Sequence, residues 1–135
     1  MKKLLILSLI LVSLAGCKKL KYSPEGPTDV RVENLSDLPW TEVIVDTSGG
    51  VDTLGNIEAG GKSDYSRFDK AFPKAEISAT INGEKYSTGT VDYIGQTYIG
   101  QAKITYEVFI SSVPNKKLEI SNCSLDAPLD SIPAK

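Results

Sequence analysis

The side chains that could do chemistry in this chain are carboxylates, hydroxyls, amines and two thiols, because the sequence contains no histidine. Histidine is the commonest general base and a frequent metal ligand, so its absence excludes a Ser-His-Asp or Cys-His hydrolase. The acidic residues are scattered singly on predicted outward strand positions, as with Glu42, Glu107 and Glu119. No two of them can be identified from the sequence as an acid and base pair. The sequence therefore predicts a non-enzymatic protein with no catalytic residue, no bound metal and no cofactor.

Two loops contain residue types that invite comparison with ligand-binding motifs. Ile57–Ser63 carries a Gly-Lys-Ser run like that of phosphate-binding loops, but Asn56 replaces the first glycine of that pattern and no helix pattern follows. The polar loop 46–56 could offer oxygens to calcium, yet Ile57 stands where a calcium loop has its glutamate. We expect both loops to be turns between strands, with calcium binding as the alternative for the second.

The aromatic residues offer a further kind of site, since aromatic side chains bind sugars and protein partners well. Tyr93–Gly100 is a loop bounded by glycine, and it contains Tyr93, Gln96 and Tyr98. Binding residues concentrate on such loops, so we take these three as a candidate binding loop. For Trp40 we favour a place in the core over a place on a recognition surface.

The N-terminus is typical of a bacterial secretion leader. Met1–Lys3 is cationic, Leu4–Val12 is apolar, and Leu14–Cys17 resembles, in each position, the lipobox of bacterial lipoproteins. A transmembrane helix is the alternative, but it needs about 20 apolar residues and this run stops short of Lys18. We expect cleavage before Cys17 and acyl chains on that residue, which would anchor the chain to a membrane.

The residues after Cys17 bear on the location of the chain. In the sorting rule of Gram-negative lipoproteins, an aspartate at this point favours inner-membrane retention, so Lys18 favours the outer membrane. In Bacteroidota-type lipoproteins, acidic residues there resemble a surface-export signal. Lys18, Lys19 and Lys21 stand there instead, which favours the periplasmic face.

Composition limits the partners and the means of stabilisation. Because Lys2 and Lys3 leave with the leader, 13 basic residues remain against 17 acidic ones, and the net charge falls from −2 to −4. A mildly acidic domain lacks the basic surface that nucleic acid requires. Lipidation of Cys17 leaves Cys123 without a disulfide partner in this chain, so stability must come from a hydrophobic core. For Cys123 we favour a partly packed thiol over a reactive one.

The rest of the chain divides into a linker, one β-rich domain and a tail. We assign residues 1–16 to the signal peptide, 17–28 to the lipidated N-terminus and linker, 29–125 to the domain, and 126–135 to a flexible tail. Within the domain, apolar residues alternate with a period of two, as in strands that have one face buried. We expect seven or eight short strands forming a single sandwich of two antiparallel sheets.

Local patterns fix several of these strands. Residues 29–33 and 40–47 read as strands, and Ile104–Ile110 alternates most strongly. The Asn82-Gly83 pair predicts a type I′ hairpin between 75–81 and 84–90, with Ile81 opposite Glu84 and Ala79 opposite Tyr86. A bulge at Gly89 would turn Val91 and Tyr93 back towards the core. Between Ser63 and Pro73, the spacing of three aromatic residues allows a helical turn.

Several segments resemble small uncharacterised Bacteroidota-type lipoproteins. They are Val30–Asn34, Ile57–Tyr65 and Ile81–Glu84, and the resemblance extends over about residues 28–122. It implies an immunoglobulin-like or transthyretin-like sandwich on a lipid anchor, and it carries over no catalytic residue. The segments 52–54 and 130–132 also resemble the O-glycosylation signal of such exported proteins, with Thr53 and Ser131 as the acceptors.

Together these observations predict an envelope lipoprotein that binds rather than catalyses. We expect a domain that binds a protein of the cell envelope or stabilises an assembly. The alternative is a glycan-binding accessory protein that uses the Tyr93–Gly100 loop. The expected partners are the membrane, through the N-terminal lipid, and an envelope protein or glycan.

Overall fold

The computed structural model describes residues 25–129, in which the chain forms eight β-strands and no helix. The prediction of an all-β domain with seven or eight strands is therefore confirmed. The signal peptide, Cys17, most of the linker and Ser131 lie outside the described residues. The described part contains no helix of the length and apolarity needed to cross a membrane. The strands are β1 (Thr28–Asn34), β2 (Trp40–Asp46), β3 (Val51–Ile57), β4 (Ser66–Phe68), β5 (Glu76–Ile81), β6 (Glu84–Ser87), β7 (Ala102–Ser112) and β8 (Lys117–Pro128).

The β5–β6 hairpin forms as its sequence predicts. Asn82 and Gly83 both have positive φ, at 52° and 78°, which is the backbone of a type I′ turn. Ile81 pairs with Glu84 and Ala79 with Tyr86, so the predicted register is confirmed. Glycine at position 83 adopts this conformation without steric cost, which makes the turn a local property of the sequence.

The eight strands form one mixed sheet rather than two purely antiparallel ones, in the order β3-β2-β5-β6-β8-β7-β1-β4. β1 runs parallel to β7, with Val30 beside Ile104 and Val32 beside Tyr106. β6 and β8 are also parallel. The expectation of antiparallel pairing throughout is wrong at these two places, because strands distant in the chain are free to meet in either direction.

The sheet curls almost into a barrel, which brings its edge strands β3 and β4 together. The Ser66 hydroxyl of β4 donates a hydrogen bond to the Asp52 carboxylate of β3. Next to β4, the backbone N–H of Ser63 donates to the Val32 carbonyl at 2.9 Å. The Ser63 hydroxyl in turn accepts from the Val32 N–H at 3.0 Å. β1 is consequently paired along both edges.

The core lies inside the curl and draws side chains from strands on both sides of it. Trp40 and Tyr106 are the largest of its fully buried residues. The Trp40 indole N–H donates to the Ser36 hydroxyl at 3.0 Å, and the Tyr106 hydroxyl donates to the Phe72 carbonyl. The placement of Trp40 in the core is confirmed, and both polar atoms are satisfied as burial requires.

Two stretches depart from the sequence-based expectation near the middle of the chain. β6 ends at Ser87 rather than continuing to residue 90, and Gly89 has a φ of 82° in a segment that has left the sheet. The predicted bulge at Gly89 is therefore absent. Between Ser63 and Pro73 the chain forms the short strand β4 and no helical turn. The glycine-rich stretch 57–63 is a turn between β3 and β4, as expected.

The C-terminal boundary of the domain lies further along the chain than the sequence pattern indicates. β8 runs to Pro128, where it pairs with Ala102. Asp126 is therefore part of the sheet rather than the first residue of a tail. Its side chain accepts a hydrogen bond from Thr105 at 2.6 Å, which extends the ordered contacts of the strand beyond its apolar residues.

Asn34, at the end of β1, joins three chain segments through one fully buried amide. Its side-chain N–H groups donate to the carbonyls of Leu38 at 2.7 Å and of Glu58 at 3.2 Å. Its side-chain oxygen accepts from the backbone N–H of Ser36 at 2.9 Å and from the Ser36 hydroxyl at 2.6 Å. This amide therefore fixes the β1–β2 turn against the end of β3.

Replacing Asn34 with alanine is expected to lower the free energy of unfolding by about 2–3 kcal/mol, because it leaves buried carbonyls and N–H groups without partners. Chemical denaturation of the variant and the wild type measures the difference. Asn122→Ala is the matched control, since among residues 25–129 the exposed Asn122 amide donates only to the Glu107 carboxylate. Its effect is expected to stay within about 0.5 kcal/mol, and equal losses in the two variants would contradict the role assigned to Asn34.

Candidate functional site

Tyr93, at the start of the predicted binding loop, holds the loop against the domain. Its ring packs against Phe72 with centroids 5.0 Å apart and planes tilted by 39°. Its hydroxyl donates to the Asp46 carbonyl at 3.2 Å. Burial, with the nearby charges of Asp46 and Glu76, raises the pKa of Tyr93 to about 12. Tyr93 therefore positions the loop, because its ring and its hydroxyl are both engaged with the rest of the domain.

The other end of the loop is fixed as well. The Ile99 backbone N–H donates to the Ala71 carbonyl at 2.8 Å, and the Thr28 hydroxyl donates to the Gly100 carbonyl at 2.6 Å. Between these two attachments the chain makes a turn, in which Gly95 has a φ of 78° and Gln96 N–H donates to the Tyr93 carbonyl. Both ends being fixed, the middle of the loop projects from a rigid base.

We call residues 94–98 the crown, because their side chains stand out from the domain. Ile94 is 89% exposed and Tyr98 is 43% exposed, and Gln96 is exposed between them. None of the five residues carries a charge. Gln96 and Tyr98 lie on the surface of the loop as expected, and their role in binding stays a prediction. Ile94 was missed. The sequence signal for the exposure of Ile94 is its position directly before the glycine of a turn, where an apolar residue is seldom part of the core.

The crown lies at the end of the domain where the chain enters the fold, which we call the entry end. Thr28, the first residue of β1, is hydrogen-bonded to the base of the loop. Just before it, Gly26 lies so close to the Asp69 carbonyl that an added Cβ would approach that oxygen to 2.0 Å. The entering chain is thus packed against the segment that also holds the loop.

A second group of polar side chains lies on the outer face of β1, β7 and β8, and we call it the Tyr65 cluster. The Arg31 guanidinium lies over the Tyr65 ring, 4.6 Å from its centroid, in cation–π geometry. The Tyr65 hydroxyl donates to the Asp126 carboxylate at 2.7 Å, and Thr105 donates to the same oxygen at 2.6 Å. No motif in the sequence indicates this cluster, although strand alternation places Arg31 and Thr105 outward.

The surroundings of Asp126 favour its charged form. Partial burial acts to raise its pKa, but hydrogen bonds from Thr105 and Tyr65 and the charge of Arg31 outweigh burial and lower it. Close by, Arg67 binds the nearly buried Asp29 through two hydrogen bonds, at 2.7 and 3.1 Å. These paired charges fasten β4, β1, β7 and β8 to one another, so the cluster is suited to holding the face rigid.

A cleft opens where the sheet is weakest, between β6 and β8. In residues 25–129 these strands are joined by a single bridge pair, Ser87 with Lys117. Within the described residues, β8 has no further bridge pair beyond Lys117 on the edge that faces away from β7. The cleft beside this edge has a volume of about 260 Å³. It is lined by Lys74, Ala75, Thr88, Val91, Lys117, Leu118, Glu119 and Ile120.

Cys123 lies on β8 as a free and partly buried thiol. Burial first, and then the carboxylates of Asp126 and Glu107, raise its pKa to about 11. A thiol with such a pKa is almost wholly protonated at neutral pH, and the thiolate is the nucleophilic form. This environment is that of a packed side chain rather than a reactive one.

The loop considered for calcium uses its carboxylates within the fold. Asp46 accepts from the Ser48 backbone N–H at 2.9 Å, and Asp52 accepts from Ser66. Across the described range, no group of three or more His, Cys, Asp or Glu residues is placed to hold a metal ion. Thr53 is exposed on β3, and its glycosylation stays a prediction.

Comparisons with known proteins bear on the fold alone. No protein-family model matches the chain, and no curated protein matches it. Among solved structures, a protein from Eubacterium rectale determined by NMR is similar, with a TM-score of 0.52 and 14% sequence identity. The match covers 76% of this chain and 96% of that one. An all-β domain of this shape therefore also occurs in a bacterial protein of very different sequence.

Replacing Asp126 with asparagine is expected to lower stability in a pH-dependent manner. The pKa of Asp126 is lower in the folded chain than in the unfolded one, so its contribution is present above about pH 4 and is lost as the pH falls through the folded value. The free energies of unfolding of variant and wild type should therefore differ at pH 7 and converge in acid. Urea denaturation between pH 2 and pH 7 measures this.

The matched control for that series is Asp37→Asn, at an exposed carboxylate on the β1–β2 turn. This substitution is expected to change the free energy of unfolding only slightly at every pH. A difference for Asp126→Asn that stays constant from neutral to acid pH would contradict the electrostatic role of the Tyr65 cluster.

Proposed function

We propose that this chain is a lipid-anchored, non-enzymatic protein of the bacterial cell envelope whose domain binds a partner protein. Support for the anchor comes from the apolar run Leu4–Val12 followed by Leu14–Cys17. The lysines after Cys17 favour the outer membrane and its periplasmic face. Support for binding rather than catalysis comes from the absence of histidine and from the pairing of Arg31 with Asp126 in the Tyr65 cluster.

The free edge of β8 is the observation that carries the binding proposal. A strand edge with unpaired N–H and C=O groups is a template for pairing with another chain. β8 is twelve residues long, and beyond Lys117 only its β7 side is paired within the described residues. An extended segment of a partner protein that enters the cleft would add a strand there, with main-chain hydrogen bonds supplying the affinity.

The walls of the cleft supply the means of selecting such a segment. Val91 and Ile120 offer apolar contacts, while Lys74, Lys117 and Glu119 offer charges of both signs. In β-strand addition, alternate side chains of the added strand enter pockets and determine specificity. Register shifts on both sides of Asn122 keep this edge irregular, which discourages indiscriminate pairing between copies.

The architecture favoured by this proposal is a sandwich in the immunoglobulin-like or transthyretin-like sense. The single bridge between β6 and β8 divides the sheet into two halves of four strands, β3-β2-β5-β6 and β8-β7-β1-β4. Their buried faces contribute to one shared core. Two layers joined weakly along one side would admit a partner strand at the junction without disturbing the core.

Glycan binding by the crown is the second candidate function. The supporting observation is that Gln96 and Tyr98 are both exposed on a loop whose two ends are fixed. An amide beside an aromatic ring provides both hydrogen bonding and a flat apolar surface for a sugar.

A photo-crosslinking amino acid at position 119, in the cleft, is expected to capture a partner protein in intact native cells. The same amino acid at position 115, exposed in the β7–β8 turn, is the matched control and is expected to capture none. Electrophoresis and blotting for this protein report the crosslinked species. Absence of a crosslink at 119, or equal crosslinking at both positions, would contradict binding along β8.

Cys17→Ser is expected to move the protein out of the membrane fraction, because the acylated residue is lost. Fractionation and mass spectrometry of the N-terminal peptide measure the change. Protease added to intact cells should leave the wild-type domain uncut until the outer membrane is opened. Loss of the domain while a periplasmic control protein survives would instead place it on the cell surface.

Titration with envelope and dietary polysaccharides tests the second candidate. Glycan binding predicts chemical-shift changes in the backbone amides of Gln96 and Tyr98, and smaller ones at Asn115, which lies in the β7–β8 turn. Unchanged shifts across the crown at saturating polysaccharide would remove glycan binding as a function of this loop.

A further inference from the structure

The crown and the entering chain occupy the same end of the domain. Thr28 bonds to Gly100 at the base of the loop, and the segment that follows Asp69 supports both of them. The β7–β8 turn lies at the opposite end, because β7 runs away from the entry end for eleven residues. At about 3.3 Å per residue this strand spans roughly 35 Å. Whatever the N-terminus is attached to therefore lies on the crown's side of the molecule.

The length of the linker limits how far the crown can lie from the lipid. Seven residues separate Cys17 from Glu25, the first residue that the structure describes. A fully extended chain covers at most about 3.3–3.6 Å per residue, so the eight steps from Cys17 to Glu25 span no more than about 29 Å. The entry end is consequently held within that distance of the membrane surface. A less extended linker brings the entry end, and the crown with it, closer to the headgroups.

The side chains of the crown suit a lipid surface. Ile94 is almost fully exposed at the tip, and an exposed isoleucine loses its unfavourable contact with water when it enters an apolar phase. Tyr98 is an amphipathic ring of the kind enriched at membrane–water interfaces. The five residues carry no charge that would have to be removed from water. A sugar would use Gln96 and Tyr98 but would gain little from the aliphatic tip.

We propose that the crown, through Ile94 and Tyr98, inserts into the interface of the membrane that holds the lipid anchor. The inference rests on the proposed anchorage at Cys17, and it adds a second point of attachment. With one attachment through the linker and one through the loop, the domain has a fixed orientation. The β7–β8 turn then points away from the membrane, and the edge of β8 runs between the two ends and is open to a partner from the side.

A tryptophan reporter tests this orientation in the full-length, lipidated protein. Trp40 is the sole native tryptophan and is fully buried, so it gives a constant background. Tyr98→Trp places a reporter in the crown, and Val113→Trp places a matched one at the opposite end, where Val113 is 62% exposed. Each variant is reconstituted into phosphatidylethanolamine–phosphatidylglycerol vesicles that contain a headgroup-proximal spin-labelled lipid. Flotation of the vesicles reports anchorage separately from fluorescence.

The expected result is a blue shift and quenching of the reporter at position 98, with the reporter at position 113 unchanged. Adding Ile94→Asp to Tyr98→Trp should reverse most of the quenching, because a carboxylate at the tip resists entry into the interface. Flotation without quenching at position 98 would overturn the membrane contact and leave the anchor intact. Failure to float would overturn the anchorage at Cys17, and the inference with it. Quenching at position 113 alone would show the opposite orientation.

Discussion

The parallel ladder between β1 and β7 determines most of what this domain presents to its surroundings. It places Val30 and Val32 in the core, and its outward positions bring Arg31 and Thr105 together beneath Tyr65. The first pair of this ladder, Asp29 with Lys103, also places the entering chain beside the loop that bears the crown. Were β1 to run the other way, the entering chain would meet the β7–β8 turn instead. The direction of one strand thus decides at which end of the molecule the chain enters the fold.

The parts of the fold that the sequence predicts are those encoded by neighbouring residues. The Asn82-Gly83 turn fixes its own hairpin and register, and the alternation around Tyr106 is visible because one face of β7 is buried along its length. The direction of β1 has no such local signal, since its partner lies more than seventy residues away. The end of β6 was missed for a related reason. Thr88 keeps its backbone bond to Ile77 while the chain after it turns out of the sheet.

The candidate sites likewise divide into features that neighbouring residues encode and features that depend on residues distant in the chain. A loop rich in glycine and aromatic residues is visible in sequence, but a loop has no period, and so the inward ring of Tyr93 and the outward ring of Tyr98 cannot be told apart beforehand. The Tyr65 cluster is assembled from β1, β7, β8 and the segment before β4, and only the assembled sheet brings these together. The β8 cleft forms because one edge of β8 lacks a neighbouring strand over most of its described length. No residue of β8 indicates this absence in the sequence.

The separation of β1 from β7 also has a kinetic consequence. A chain is synthesised N-terminus first, so β1 emerges long before β7, since Arg31 and Thr105 are 74 positions apart. Contacts at such separation close slowly, because the entropy of closing the loop is lost before the contact forms. β1 therefore lacks its β7 neighbour while β2, β3, β5 and β6 form their hairpins, although β4 can already pair with its other edge. Until β7 is available that edge of β1 stays open, which makes β1 a segment on which chaperones and proteases would act early.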